Sequence, residues 1–144
     1  DVGLLFRIHK YFLEPLYPWA GKTRTVSISK DGVLFAPVKY IPNALEVFAV
    51  LLARHGAMKH ESKRKIASSL AVLHCELNAI HPFREGNGRA IRLFLDLFAV
   101  RAGYNPIDWS VKTHDEYIHA CIDGMSQKYS RMERVIFSGL IRRG

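Results

Sequence analysis

The fold is decided by one stretch, His81-Pro82-Phe83-Arg84-Glu85-Gly86-Asn87-Gly88-Arg89-Ala90-Ile91-Arg92, which separates two strongly predicted helices. The helix before it has apolar residues at intervals of four, three, four and three: Ile66, Leu70, Leu73, Leu77 and Ile80. The helix after it, residues 89–102, is apolar on nearly every side, which is typical of a helix buried in a core. The sequence therefore predicts a short loop, residues 81–89, between two packed helices.

Helical periodicity continues on both sides of this stretch. It predicts further helices over 4–16, 42–56, 113–125 and 129–141. The segment 23–37 differs, because apolar Val26 and Ile28 alternate with polar residues before a Lys30-Asp31-Gly32 turn and a second apolar run. We expect an all-α fold of about six helices with one β-hairpin, forming a single domain over 1–144.

Composition sets limits on the class of protein. The chain has 144 residues, 49% of them hydrophobic, so it can bury a core, and disorder is excluded. Its 21 Lys and Arg against 13 Asp and Glu give a charge of +8, which favours an anionic partner: nucleic acid, a membrane or a phosphorylated small molecule. Two cysteines and no apolar run of about 20 residues predict a reducing, cytoplasmic location.

The glycines of the central stretch predict an anion site. Gly86 and Gly88 allow backbone angles that turn successive N–H groups inward, directly before a helix N-terminus. Arg89 and Arg92 lie in the first turns of that helix, where positive charge is unfavourable unless an anion is bound nearby. Guanidinium groups three residues apart share a helix face and suit phosphate oxygens.

Two further residues predict what is done to the phosphate. Glu85 would repel it unless a hard cation bridges the two, as Mg²⁺ does between carboxylates and substrate phosphates. The ordinary pKa of a histidine side chain is about 6.5, so His81 suits a general base. The residues therefore predict phosphoryl or nucleotidyl transfer to a hydroxyl group, with a nucleotide and Mg²⁺. Phe83 is expected to point into the core, and His74 to be a packed, hydrogen-bonded side chain.

At these residues the sequence resembles the Fic domain, whose motif is H-x-F-x-[DE]-G-N-G-R-x-x-R. All eight specified positions match: His81, Phe83, Glu85, Gly86, Asn87, Gly88, Arg89 and Arg92. The likeness extends to Tyr17-Pro18-Trp19-Ala20-Gly21 and the hairpin, and so covers most of the chain.

The resemblance implies a protein adenylyltransferase that moves AMP from Mg·ATP to a Tyr, Thr or Ser hydroxyl of a target protein. It implies His81 as the base, Glu85 as the Mg²⁺ ligand and the following residues as the nucleotide site: Gly86, Asn87, Gly88, Arg89 and Arg92. The hairpin resembles the family's flap, on which the target docks as an added strand, here along Val26, Ser27, Ile28 and Ser29. Gly88 favours AMP transfer over phosphorylation by the Doc-like branch, and phosphocholine transfer stays open.

Many family members carry an inhibitory helix with the motif [ST]-x-x-x-E-[GN], and this sequence has no match to it. We therefore expect inhibition by a separate small antitoxin, or by a segment preceding this sequence. The predicted protein is a bacterial Fic toxin, with DNA gyrase or topoisomerase IV as the target class.

Two alternatives also fit the sequence. One is the Fic domain of a secreted effector that modifies host GTPases. The other is a basic domain that binds nucleic acid and merely retains the motif, for which the cue would be a basic face away from the loop. We expect no membrane partner and no direct nucleic-acid contact.

Overall fold

The computed structural model describes residues 1–30 and 32–144. Within them lie α1 (Val2–Leu13), α2 (Ile41–His55), α3 (Lys63–Ile80), α4 (Asn87–Arg101), α5 (His114–Met125) and α6 (Ser130–Gly139). A 3-10 turn, Val38–Tyr40, precedes α2, and the strands β1 (Ser29–Lys30) and β2 (Val33–Leu34) form an antiparallel hairpin. The predicted helical fold with six helices and one hairpin is confirmed. No helix of the described residues has the length and apolarity that a bilayer crossing requires.

Helix α3 is the centre of the fold. It packs against α2, α4, α5 and α6, and its periodic residues Leu70, Leu73 and Leu77 are completely buried. Helix α4 contributes Phe94 and Leu95 to the same core, as its apolar sequence predicts. Because these helices are fixed by a shared apolar core, the loop that joins α3 to α4 has both ends anchored.

The ends of α3 and α4 define that loop. Ser62 caps α3 by accepting a hydrogen bond from the Lys65 N–H at 3.2 Å. The helix ends at His81, whose φ of 50° is left-handed, and Pro82 follows. Helix α4 begins after Gly86, with φ 80°. The loop is therefore 81–86, shorter than the predicted 81–89, because residues 87–89 already form the first turn of α4.

The hairpin is also shorter than predicted. Its register pairs Ser29 with Leu34 and Lys30 with Val33, and the Phe35 N–H extends it by donating to the Ile28 carbonyl at 3.2 Å. Val26 lies outside the strands, because continuing this register would place it opposite Pro37, which has no N–H to donate; its carbonyl accepts from the Arg24 side chain. Asp31, predicted in the turn, lies outside the described residues.

Candidate nucleotide and transfer site

Asn87 closes the loop between α3 and α4. Its side-chain oxygen accepts from the Phe83 N–H at 2.8 Å, and its side-chain nitrogen donates to the Phe83 carbonyl at 2.7 Å. Both residues are buried, and the Phe83 ring points into the core as expected. The Asn87 side chain thus holds the turn, while its backbone N–H stays at the open N-terminus of α4.

His9 of α1 holds the same loop from the other side. Its ring stacks on Phe83 with centroids 3.7 Å apart. The Gly21 N–H donates to Nδ1 at 2.9 Å, so Nε2 carries the proton and donates to the Glu85 carbonyl at 2.8 Å. Burial lowers the pKa of His9, and the hydrogen bond to the Glu85 carbonyl offsets this only in part. The lowered pKa keeps the ring in this neutral form.

Among residues 1–30 and 32–144, His81 has a hydrogen-bond partner for one ring nitrogen and none for the other. Its Nδ1–H donates to the Asn78 carbonyl at 3.3 Å, which leaves Nε2 without a proton. The Phe35 ring stacks on the imidazole at 3.7 Å with the two planes 9° apart. The pKa of His81 is lowered to about 4, mainly by burial. The hydrogen bond to the Asn78 carbonyl raises the pKa, and the charges of Arg24 and Lys30 lower it further. At neutral pH the ring is therefore uncharged and can act as a base.

Gly86 shapes the N-terminus of α4 into an anion site. Its left-handed backbone suits glycine, and an added Cβ would lie 2.7 Å from the Leu13 side chain. The N–H groups of Asn87, Gly88 and Arg89 follow in the first turn and have no partner within the helix. A Cβ on Gly88 would lie 3.1 Å from the Arg92 guanidinium, which places that cation beside the backbone N–H groups.

Arg92 is held by a buried polar pair. Its Nη1 donates to the Tyr117 hydroxyl at 3.3 Å, and that hydroxyl is hydrogen-bonded to Nε2 of His74 at 2.7 Å. Burial, together with the charge of Arg92, lowers the pKa of His74 to about 3, so the ring stays neutral. His74 is the packed, hydrogen-bonded side chain that the sequence predicts.

These groups open onto one cavity of about 510 Å³, a size typical of small-ligand sites. Its lining includes the following predicted site residues: His81, Glu85, Gly86, Asn87, Gly88, Arg92, Ile28 and Ser29. Arg89 does not line it, since its guanidinium lies over the Phe12 ring at 5.3 Å. Val26 and Ser27 do not line it either.

The charges around the cavity suit an anion that carries a metal ion. Lys30, Arg84 and Arg92 line it together with one carboxylate, Glu85, which is exposed. Across the described part of the chain no three His, Cys, Asp or Glu side chains come together as metal ligands. A Mg²⁺ ion fits here because it characteristically takes one or two carboxylates and completes its shell with phosphate oxygens and water.

The opposite wall of the cavity is apolar. Helix α5 contributes Tyr117, Ile118, Cys121, Ile122 and Met125, and the hairpin contributes Ile28, Val33 and Phe35. The two elements line the same cavity, so a planar base has apolar contacts available from both.

Comparison with known proteins agrees with this geometry. The family model described as Fic/DOC matches residues 1–99. The chain belongs to the Fic/DOC family. It is 36% identical over 143 residues to the protein adenylyltransferase VbhT of Bartonella schoenbuchensis, covering 99% of this chain and 29% of VbhT. It is 33% identical over 102 residues to the probable protein adenylyltransferase Fic of Escherichia coli, covering 71% of this chain and 50% of that protein.

The fold also matches solved Fic structures. BepC of Bartonella tribocorum, a VirB-translocated effector solved with bound AMPPNP, superposes with a TM-score of 0.85 at 26% identity, covering all of this chain and 76% of that chain. The chain spans between about 29% and 62% of the length of the first curated relatives that it matches.

The protonation state of His81 is directly measurable. Because its pKa is lowered to about 4 in the folded state, an NMR titration of the folded chain should find its midpoint well below the ordinary value of ~6.5. Since the unfolded chain binds this proton first, the contribution of His81 to stability should be present above about pH 6.5 and lost as the pH falls toward 4. Loss of the signal in His81→Gln assigns the resonance, and a midpoint near 6.5 would contradict the buried, neutral ring.

Proposed function

We propose that this chain is the catalytic domain of a protein adenylyltransferase that moves AMP from Mg·ATP to a hydroxyl group of a target protein. One observation carries the proposal: the unprotonated Nε2 of His81 and the N-terminus of α4 border one cavity. The names of the relatives support it, since VbhT is a protein adenylyltransferase. The AMPPNP in BepC supports a nucleotide as the substrate.

In the proposed reaction His81 takes the proton of the target hydroxyl at Nε2. The hydroxyl oxygen bonds to the α-phosphorus, the bond from that phosphorus to the bridging oxygen breaks, and pyrophosphate leaves with the bond electrons. The N–H groups at the start of α4 and the Arg92 guanidinium hold the leaving phosphates. Bound through Glu85, Mg²⁺ would neutralise charge on the phosphates. Arg89 reaches the same phosphates if it leaves the Phe12 ring on nucleotide binding.

The hairpin is proposed as the docking site of the target. Within the described residues each of its two strands has one partner, so each leaves a backbone edge free for an added strand. Ile28 and Ser29 lie at this hairpin and line the cavity, so a strand bound there passes close to His81. Val26 and Ser27 would extend the docking segment away from the cavity.

Two biological settings fit the proposed activity. The sequence predicts a toxin that a separate antitoxin inhibits, with gyrase or topoisomerase IV as the target class. The structural neighbours from Bartonella are described as VirB-translocated effectors, which favours in part the alternative of a secreted effector that modifies host GTPases. Both settings use the same cavity and the same base.

The activity is tested by mass spectrometry of a bacterial lysate incubated with the chain and Mg·ATP. We expect a protein whose Tyr, Thr or Ser gains the mass of one adenylyl group, that is, AMP less one water. His81→Ala should lower the transfer rate by roughly 10²-fold or more while AMPPNP still binds, because the base acts only on the target hydroxyl. His119→Ala, an exposed histidine on α5 outside the cavity, is the matched control and should keep the rate of the unmodified chain. Transfer by His81→Ala at the original rate would remove His81 as the base.

A second candidate function rests on where the charge lies. Residues 54–65, 101–108 and 139–144 carry eight Lys and Arg against two Asp and Glu, a net +6 of the chain's +8. They form the end of the helix bundle remote from the loop 81–86, where the Arg143 N–H donates to the Gly103 carbonyl at 3.1 Å and Lys63 lies 4.2 Å from the Phe137 ring centroid. A basic face away from the loop is the cue expected of a domain that binds nucleic acid.

This candidate is tested by titrating a fluorescent DNA duplex with the chain at several salt concentrations. Binding through this end should weaken steeply with salt and be lost in the double variant Arg142→Glu and Arg143→Glu, while His81→Ala binds unchanged. If the unmodified chain binds no DNA at low salt, the candidate is excluded and the expectation of no nucleic-acid contact holds.

A further inference from the structure

Arg24 is the most buried cation of the described residues, with 3% of its surface exposed, and it makes no ion pair with any of them. Its guanidinium instead donates to four backbone carbonyls. Nε donates to His81 at 2.7 Å, Nη1 to Val26 at 2.8 Å, and Nη2 to both Ile80 at 3.2 Å and Ala36. The Arg24 backbone N–H adds a fifth bond, to the Pro82 carbonyl at 2.9 Å.

These carbonyls belong to two different parts of the site. Those of Ile80 and His81 are at the C-terminus of α3, where helix carbonyls lack internal partners and a cation is favourable. Those of Val26 and Ala36 flank the hairpin on either side. A planar guanidinium has five N–H groups in a fixed fork, so one rigid group ties both ends of the hairpin to the end of α3.

His81 depends on this arrangement for its position. It is a non-glycine residue with a left-handed backbone, a conformation that costs of the order of 1 kcal/mol and needs support from its surroundings. Arg24 holds its carbonyl, and Phe35 at the end of the hairpin stacks on its ring. The Ala36 N–H also donates to the Ala79 carbonyl of α3 at 3.1 Å. The hairpin and the imidazole are therefore fixed to each other.

We propose that Arg24 is a positioning residue that couples the target-docking hairpin to His81. This role rests on the proposed function. Arg24 holds the docked strand and Nε2 of His81 in a fixed relative position, so that the target hydroxyl lies at the required distance from the base. Arg24 itself touches neither nucleotide nor target.

The nucleotide site is held by other contacts. His9 fixes the Glu85 carbonyl, and the Asn87 side chain fixes Phe83. Within the loop 81–86, Arg24 is hydrogen-bonded to the first two residues, His81 and Pro82. Loosening Arg24 should therefore slow transfer without weakening nucleotide binding. A residue that merely stabilised the fold would affect both together.

The test compares Arg24→Lys, which keeps the charge and loses the fork, with the matched control Arg7→Lys on the exposed face of α1. Among the described residues Arg7 forms an ion pair with Asp1 alone, at 3.7 Å. We expect Arg24→Lys to lower the rate of lysate labelling from ATP labelled at the α-phosphate about tenfold or more, because small misplacements of a base are costly. Its affinity for AMPPNP should stay within about twofold, and Arg7→Lys should match the unmodified chain. Unchanged labelling, or an equal loss of AMPPNP affinity, would overturn the proposal.

Hydrogen exchange on the unmodified chain tests the coupling without a variant and without any activity. The Arg24 and Ala36 amides, bonded to Pro82 and Ala79, should show the same free energy of opening as the His81 amide, as members of one cooperative unit. Arg24 and Ala36 amides that open at a much lower free energy than the His81 amide would contradict the coupling. If the unmodified chain transfers no AMP, the proposed function fails, while this exchange result still decides whether the hairpin and His81 are coupled.

Discussion

The two hydrogen bonds between the Asn87 side chain and the Phe83 backbone are the constraint on which the site depends. Helices α3 and α4 are both fixed in the core, so the loop between them must reverse direction over residues 81–86. It must also present a histidine at its start and free N–H groups at its end. The paired bonds at 2.7 and 2.8 Å set this turn in a buried environment, where leaving such groups unpaired costs about 1–3 kcal/mol each. A loop of other shape would separate the base from the anion site.

The site is built so that each charged or titratable group has a distinct task. His81, His9 and His74 all have lowered pKa values because they are buried, and the ring nitrogen left without a proton differs among them according to their partners. In His9 that nitrogen accepts an internal hydrogen bond, and in His74 both ring nitrogens are enclosed, Nε2 on the Tyr117 hydroxyl and Nδ1 in the core, whereas Nε2 of His81 has no partner among the described residues. This difference, rather than the pKa alone, separates the candidate base from two histidines that support the structure.

Local sequence was sufficient for the helices and the loop but not for the contacts that hold them. The spacing of Leu70, Leu73 and Leu77 and the glycines of the loop carry their own signals, because periodicity and backbone freedom depend on neighbouring residues. Arg24 and His9 have no such signal in the neighbouring sequence. Arg24 bonds to backbone groups up to 57 residues away and His9 to one 76 residues away, and a residue of any type can supply a backbone carbonyl. The hairpin is shorter than predicted because its register, which the local sequence does not reveal, sets Val26 opposite Pro37. Pro37 has no N–H to continue the ladder, and the Val26 carbonyl accepts from the Arg24 side chain instead.

A crystal structure of this chain with Mg²⁺ and AMPPNP would show directly whether one cavity brings the nucleotide phosphates and Nε2 of His81 together. We expect phosphates on the N–H groups of residues 87–89, the metal ion held through Glu85, and the α-phosphorus facing His81. We also expect the nucleobase between α5 and the hairpin. Phosphates bound away from α4, or an α-phosphorus that the His81 ring does not face, would contradict this arrangement.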